Sequence, residues 1–134
     1  IMMAQSIFVN LAVESVQQSR AFYAGLGFGI NEQYSNEQAA CVVIADNIYV
    51  MLLAKPFFAG FTDKVIADAH ATTEVLNCLD CDSRERVDQL VKLAELHGGK
   101  AYRQAQDQGF MYGHAFEDPD GHIWELVYME AQVS

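Results

Sequence analysis

Positive charge is scarce in this chain: 8 lysines and arginines stand against 18 aspartates and glutamates, a formal net charge of −10. A surface of that sign repels phosphate backbones and anionic lipid, which argues against nucleic acid and membrane as partners. Long apolar runs are missing too; none approaches the ~18 residues of a membrane span. Cysteine is sparse and odd in number. Cys41, Cys78 and Cys81 are too few for a disulfide framework, and a reducing cytoplasm is the expected setting. Cys78 and Cys81 form a C-x-x-C string, but on a predicted strand residues three apart point to opposite faces, so neither a redox pair nor a zinc site is expected. The opening Ile1-Met2-Met3-Ala4-Gln5-Ser6 carries no positive charge ahead of an apolar stretch and is not expected to be a secretory signal. The strings Gly25-Leu26-Gly27 and Gly27-Phe28-Gly29 lack the rest of a dinucleotide fingerprint.

Apolar residues, by contrast, make up 51% of the 134, enough for the core of one domain spanning residues 1–134. The order of elements repeats. Ser6 to Val13 reads as a strand, rich in β-branched and aromatic residues. Ser15 and Gln18 have capping-box spacing, and Val16, Ser19, Phe22, Tyr23 and Leu26 follow at helical intervals up to Gly27. Phe28 to Tyr34, Ala39 to Ala45 and Asn47 to Ala54 are three further strands. In the second half, Thr73 to Cys81 is a strand and Asp82 takes the N-cap place. Val87, Leu90, Val91 and Ala94 are the buried stripe of a helix ending at Gly98-Gly99. Lys100 to Gln106, Gly109 to Glu117 and His122 to Met129 close the module, the last two joined by a turn at Asp118-Pro119-Asp120-Gly121. The pattern is β-α-β-β-β written twice: module one about 6–54, a connecting segment about 55–72, module two about 73–130. Phe57, Phe58 and Phe61 make the connecting segment too aromatic for a plain linker; a lid over a pocket and packing between copies of the chain are the two readings.

Leu11-Ala12-Val13, Ser19-Arg20-Ala21-Phe22-Tyr23 with Leu26-Gly27-Phe28, and Phe116 to Leu126 with Asp118-Pro119-Asp120-Gly121-His122-Ile123-Trp124-Glu125 within it occur in that order over nearly the whole chain. In this the sequence resembles the vicinal oxygen chelate superfamily, the glyoxalase/bleomycin-resistance/dioxygenase group. The resemblance implies an α+β fold in which two βαβββ modules form an open, mixed eight-stranded barrel, with a cleft between the modules and a homodimeric assembly. It also implies a divalent metal in that cleft, held from four slots on the first and last strand of each module. His or Gln is usual on the first strands and Glu on the last, which suits Fe, Ni, Mn or Zn.

By that resemblance the four slots fall on Phe8, Met51, Leu76 and Glu125. Three of them hold no useful hard-metal donor, so no cofactor is expected. Sliding the fifth strand by two residues instead brings in Glu74, and Glu74, His114 and Glu125 would then make an irregular site for Zn, Ni, Fe or Mn. If the slots face inward, alternation lines the cleft with Phe8, Asn10, Tyr49, Met51 and Leu76, with Phe57 above. That is an apolar pocket with a few polar groups. Glu125 would be a carboxylate with little water and no cation, the usual setting of a general base, with Tyr112 or His114 as its acid. Two functions follow as expectations. One is a metal-free binding protein for a small apolar or conjugated compound. The other is a glyoxalase-like lyase or dioxygenase-related enzyme that uses a displaced metal site or Glu125.

Overall fold

A computed structural model describes residues 2–130 of the chain, which divides between Ala67 and Asp68 into two units. In the first, β1 (Ile7–Val13) is followed by α1 (Val16–Gly25), β2 (Gly29–Asn31), β3 (Ala39–Ala45), β4 (Ile48–Ala54) and a short α2 (Lys55–Phe58). The sheet order is β1-β4-β3-β2, with β1 parallel to β4 and the other pairs antiparallel. The Ser15 hydroxyl accepts the Gln18 amide at 3.1 Å, which starts α1, and Gly27 at φ +102° ends the segment. Val16, Ser19, Phe22 and Tyr23 are the buried side of α1. They pack over β3 and β4, whose Ala40, Val42, Val50 and Leu52 have no exposed surface. Phe22 and Tyr23 meet edge to face at 5.0 Å; removing a side chain such as Phe22 from water contributes about 1.5–3 kcal/mol.

The second unit repeats the scheme with β5 (Asn77–Asp80), α3 (Arg84–Leu96), β6 (Lys100–Asp107), β7 (Met111–Glu117) and β8 (Ile123–Met129), in the order β5-β8-β7-β6. Here β5 runs parallel to β8. Val87, Leu90, Val91 and Ala94 of α3 are buried, and the helix packs on β6, β7 and β8. The α+β class and the doubled βαβββ order are therefore as the sequence pattern implies. No helix among the described residues is long and apolar enough to cross a membrane.

Three local expectations are corrected. The strand expected over Phe28 to Tyr34 pairs only at Gly29–Asn31; the Asn31 side chain then accepts the Gln33 amide at 3.1 Å and winds Glu32–Tyr34 into a 3-10 turn. The strand expected from Thr73 begins at Asn77. Its partner β8 starts at Ile123 and Asn77 already lies opposite Trp124, so residues 73–75 have no strand to pair with. The cap of α3 is Ser83, whose hydroxyl accepts the Arg86 amide at 3.0 Å, one residue beyond Asp82. The aromatic connecting segment is ordered within the first unit. After α2 comes a 3-10 turn, Ala59–Phe61, and Phe57 meets Phe61 edge to face at 5.2 Å.

The turn between β7 and β8 is a fixed object. Asp118 is only 3% exposed, and its Oδ1 accepts the amides of Asp120 and His122, each at 2.9 Å. Gly121 sits at φ +91°, where a Cβ would lie 2.8 Å from backbone atoms of Ala69 and His70. Gly98, at φ +106°, meets nothing nearer than Pro119 at 3.8 Å. Gly98→Ala is expected to cost about 1–3 kcal/mol from backbone strain alone. Gly121→Ala is expected to cost more, because strain and overlap add. Urea unfolding midpoints of the two variants check the order, and equal midpoints would mean that the Ala69–His70 contact is not there.

Candidate functional site

The pairing of strands in the second unit sets one row of residues across the whole sheet. Cys78 of β5 is opposite Glu125 of β8, Glu125 is opposite Ala115 of β7, and Ala115 is opposite Tyr102 of β6. Opposed residues share a face, so these four side chains stand on one side of the sheet. The neighbouring row on that side runs Val127, Gly113, Gln106. Phe116, Trp124 and Leu126 point the other way and are buried on the helix side. Over the open face lies a cavity of about 680 Å³, a size suited to a small organic molecule. Gly113 and Ala115 leave its middle shallow. Glu74, Leu76, Glu125, Tyr102, Arg103 and Gln106 contribute to its walls.

The strand β6 is irregular where it borders this cavity. Between Tyr102 and Gln106 it carries extra residues against β7, and Arg103 adopts φ +60°. Left-handed backbone at a non-glycine residue costs about 1–3 kcal/mol and persists only where its surroundings hold it. Here the His114 imidazole Nε2–H donates to the Arg103 carbonyl at 2.9 Å. The Arg103 guanidinium lies 5.5 Å from the centre of the Tyr102 ring, within cation–π range.

The residues expected to act together are not all on one side. Glu125 faces the cavity row. Tyr112 is opposite Tyr128, and its hydroxyl donates to Asp88 of α3 at 2.5 Å, on the helix side. That hydrogen bond, together with burial and nearby negative charge, raises the Tyr112 pKa above the usual phenol value. His114 is among the residues lining the cavity, yet its register partner is Leu126 and its ring is committed to the Arg103 carbonyl. Of the two residues expected as acid, Tyr112 is thus on the helix side, while His114 lines the same cavity as Glu125. Leu76 lines the cavity just before β5, and the residue beside Glu125 is Cys78. Burial raises the Cys78 thiol pKa first, and the negative charges of Glu125 and Asp80 add to it. The register between β5 and β8 is what makes Cys78 the neighbour of Glu125.

In the first unit the matching row runs Asn10, Met51, Cys41, Asn31. Phe8 and Tyr49 are opposed one step along and stack at 4.6 Å with their planes 12° apart. Phe57 lies beyond the sheet against Phe61. Of the expected ligand-binding residues, Phe8, Asn10, Tyr49 and Met51 therefore do share one sheet face.

The family model described as the Glyoxalase/Bleomycin resistance protein/Dioxygenase superfamily matches residues 6–126. No curated protein matches the chain. Among solved structures, hypothetical protein SA1046 from S. aureus is similar at 28% identity and a TM-score of 0.81, covering 95% of each chain. A glyoxalase-related enzyme from Fulvimarina pelagi is similar in fold at 17% identity and a TM-score of 0.79, with 94% of this chain and 88% of that one covered. A bleomycin resistance determinant encoded on the transposon Tn5 gives 20% identity and a TM-score of 0.66 over 96% and 100% of the two chains.

The metal that such a resemblance implies would have to draw on the donors at the strand positions described above. Met51 and Glu125 hold the last-strand positions, and their register neighbours are Asn10 and Cys78. Glu74, His114 and Glu125 all line the cavity, but no group of three or more His, Cys, Asp or Glu among the described residues could hold a metal ion.

The Cys78–Glu125 contact is open to test. Removing the Glu125 charge lowers the Cys78 pKa and so raises its thiolate fraction. Iodoacetamide labelling near pH 8, read peptide by peptide by mass spectrometry, is expected to be several-fold faster at Cys78 in Glu125→Gln and unchanged at buried Cys41. An unchanged Cys78 rate would place the carboxylate away from the thiol.

Proposed function

Since the chain belongs to the glyoxalase/bleomycin resistance protein/dioxygenase superfamily, we propose that it binds a small organic ligand without the metal site of that family. The observation that carries the reading is the cavity of about 680 Å³ on the second sheet, whose middle is left open by Gly113 and Ala115. An apolar floor with a few polar groups at its edges is the usual make-up of a small-molecule site. Tyr102 offers a ring against which a flat, conjugated compound can stack. The donor set supports the metal-free part: Phe8, Met51 and Leu76 carry no oxygen or nitrogen on their side chains, and a thioether is a soft ligand unsuited to Fe, Ni or Mn. The protein works in the cytoplasm as a homodimer in this reading. Three free cysteines favour the first, and the family resemblance is the warrant for the second.

A second reading is an enzyme of glyoxalase or lyase type in which Glu125 moves a proton without a metal. It is favoured by one observation, that the Glu125 carboxylate has no hydrogen-bond or ion-pair partner among the described residues. A base left free in a cavity can reach a ligand's proton.

Thermal shift with chelator present tests the binding reading. Against a panel of hydrophobic cations and glutathione conjugates, a ligand at about a hundredfold excess over its Kd is expected to add about 2.7 kcal/mol of stability, a rise of several degrees. Gly113→Leu, which fills the middle of the cavity, is expected to abolish the shift. A Cβ at this position meets only ordinary contacts, 3.5 Å from the Leu126 carbonyl oxygen, so the strand tolerates a side chain. Stoichiometric Ni, Zn, Fe or Mn in the purified protein, with an activity that depends on it, would overturn the metal-free reading.

A further inference from the structure

The cavity on the second sheet is lined by the Arg103 guanidinium and by two carboxylates, Glu74 at one wall and Glu125 in the sheet row, and none of the three has an ion-pair partner among the described residues. Arginine occurs four times in the chain. Arg20 is paired with Glu32, Arg84 with Asp107 and Glu130, and Arg86 donates to the Gln89 side chain at 2.8 Å. Arg103 has no ion-pair partner among the described residues, although acidic side chains outnumber basic ones by more than two to one. Its backbone is held at φ +60° on the bulge that borders the cavity. Glu125, across the cavity, is equally without an ion-pair partner.

No ion pair joins Arg103 and Glu125 among the described residues. Tyr102, next to Arg103, and Glu125 are separated by the β7 strand, which is two strand spacings or roughly 10 Å. The residues between them are small, Ala115 in the same row and Gly113 in the next, so nothing on the floor satisfies either charge. Free carboxylates and a free guanidinium lining one cavity with a small-residue floor are complementary to a molecule that carries both signs. We infer that this cavity takes a small zwitterion of amino-acid type with an aromatic body. Its anionic group meets Arg103, its ammonium group meets Glu125, and its ring lies over Gly113 and Ala115 beside Tyr102.

This inference rests on the binding reading above, and the test separates the two. Isothermal titration uses four probes on one aromatic body: phenylalanine, N-acetylphenylalanine, phenylalaninamide and N-acetylphenylalaninamide. They are respectively zwitterionic, anionic, cationic and neutral. Each is titrated into wild type, Arg103→Gln and Glu125→Gln. Phenylalanine is expected to bind wild type about tenfold tighter than either singly charged probe, and the neutral probe weakest. Arg103→Gln is expected to weaken phenylalanine and N-acetylphenylalanine about tenfold and to leave phenylalaninamide unchanged. Glu125→Gln is expected to do the reverse. If the neutral probe binds all three proteins as tightly as phenylalanine does, the zwitterion is overturned and the apolar binding reading stands. If only one of the two charges matters, a singly charged ligand replaces the zwitterion. If none of the four binds while the panel of conjugated compounds does, the amino-acid class is wrong. If nothing in either set binds, the binding reading falls with it.

Discussion

Each unit depends on the parallel pairing of its first and last strands. Parallel neighbours cannot be joined by a tight turn, so the chain must leave the sheet, cross over and return. In the first unit it leaves β1 at Val13, forms α1 from the Ser15 cap, and returns through β2 and β3 before β4 can settle against β1. In the second unit the same circuit runs from Asp80 through the Ser83 cap, α3, β6 and β7 to β8. The helix covers one face of its sheet in both cases, which commits every second residue of each strand to the opposite face. The position of Glu125 is a consequence: Leu126, fully buried beneath α3, fixes which way its neighbour points.

The doubling turns one sheet address into two chemical environments. The row Asn10, Met51, Cys41, Asn31 and the row Cys78, Glu125, Ala115, Tyr102 occupy matching places in the two units. In the first, Cys41 is a buried small side chain and Met51 is a flexible thioether, neither suited to hold a charge in place. In the second, a carboxylate stands over a floor of small residues. Shape is shared between the units, and the charged side chains of these rows are concentrated in one of them.

Much of the fold was legible because it is carried by local signals. The Ser15 cap, the Gly27 stop, the alternation of β3 and β4 and the Asp118–Gly121 turn each have a residue type that acts within a few positions of itself. What was misread depends on partners far along the chain. Thr73 to Val75 has the composition of a strand and lacks only a neighbour to pair with, because β8 begins at Ile123. The site suffered in the same way. Glu125 could be placed on its face by alternation, but its neighbour Cys78 comes from the register between β5 and β8. Arg103 emerges only from a bulge between strands that no sequence period encodes. Tyr112 and His114 were grouped with Glu125 by closeness along the turn region. The pairing with Tyr128 sends Tyr112 to the helix side, and His114, opposite Leu126, spends its ring nitrogen on the Arg103 carbonyl at the edge of the cavity.

The β6 bulge has a second effect, on how the molecule keeps to itself. β6 is the outer strand of its sheet, and an outer strand offers a row of unused amides and carbonyls on which another chain can add a strand. The extra residues between Tyr102 and Gln106, with the left-handed turn at Arg103, break that row in the middle and twist it out of line. A deletion that straightened β6 would therefore remove more than a charge from the cavity. It would restore a continuous template for aggregation along the border of the sheet.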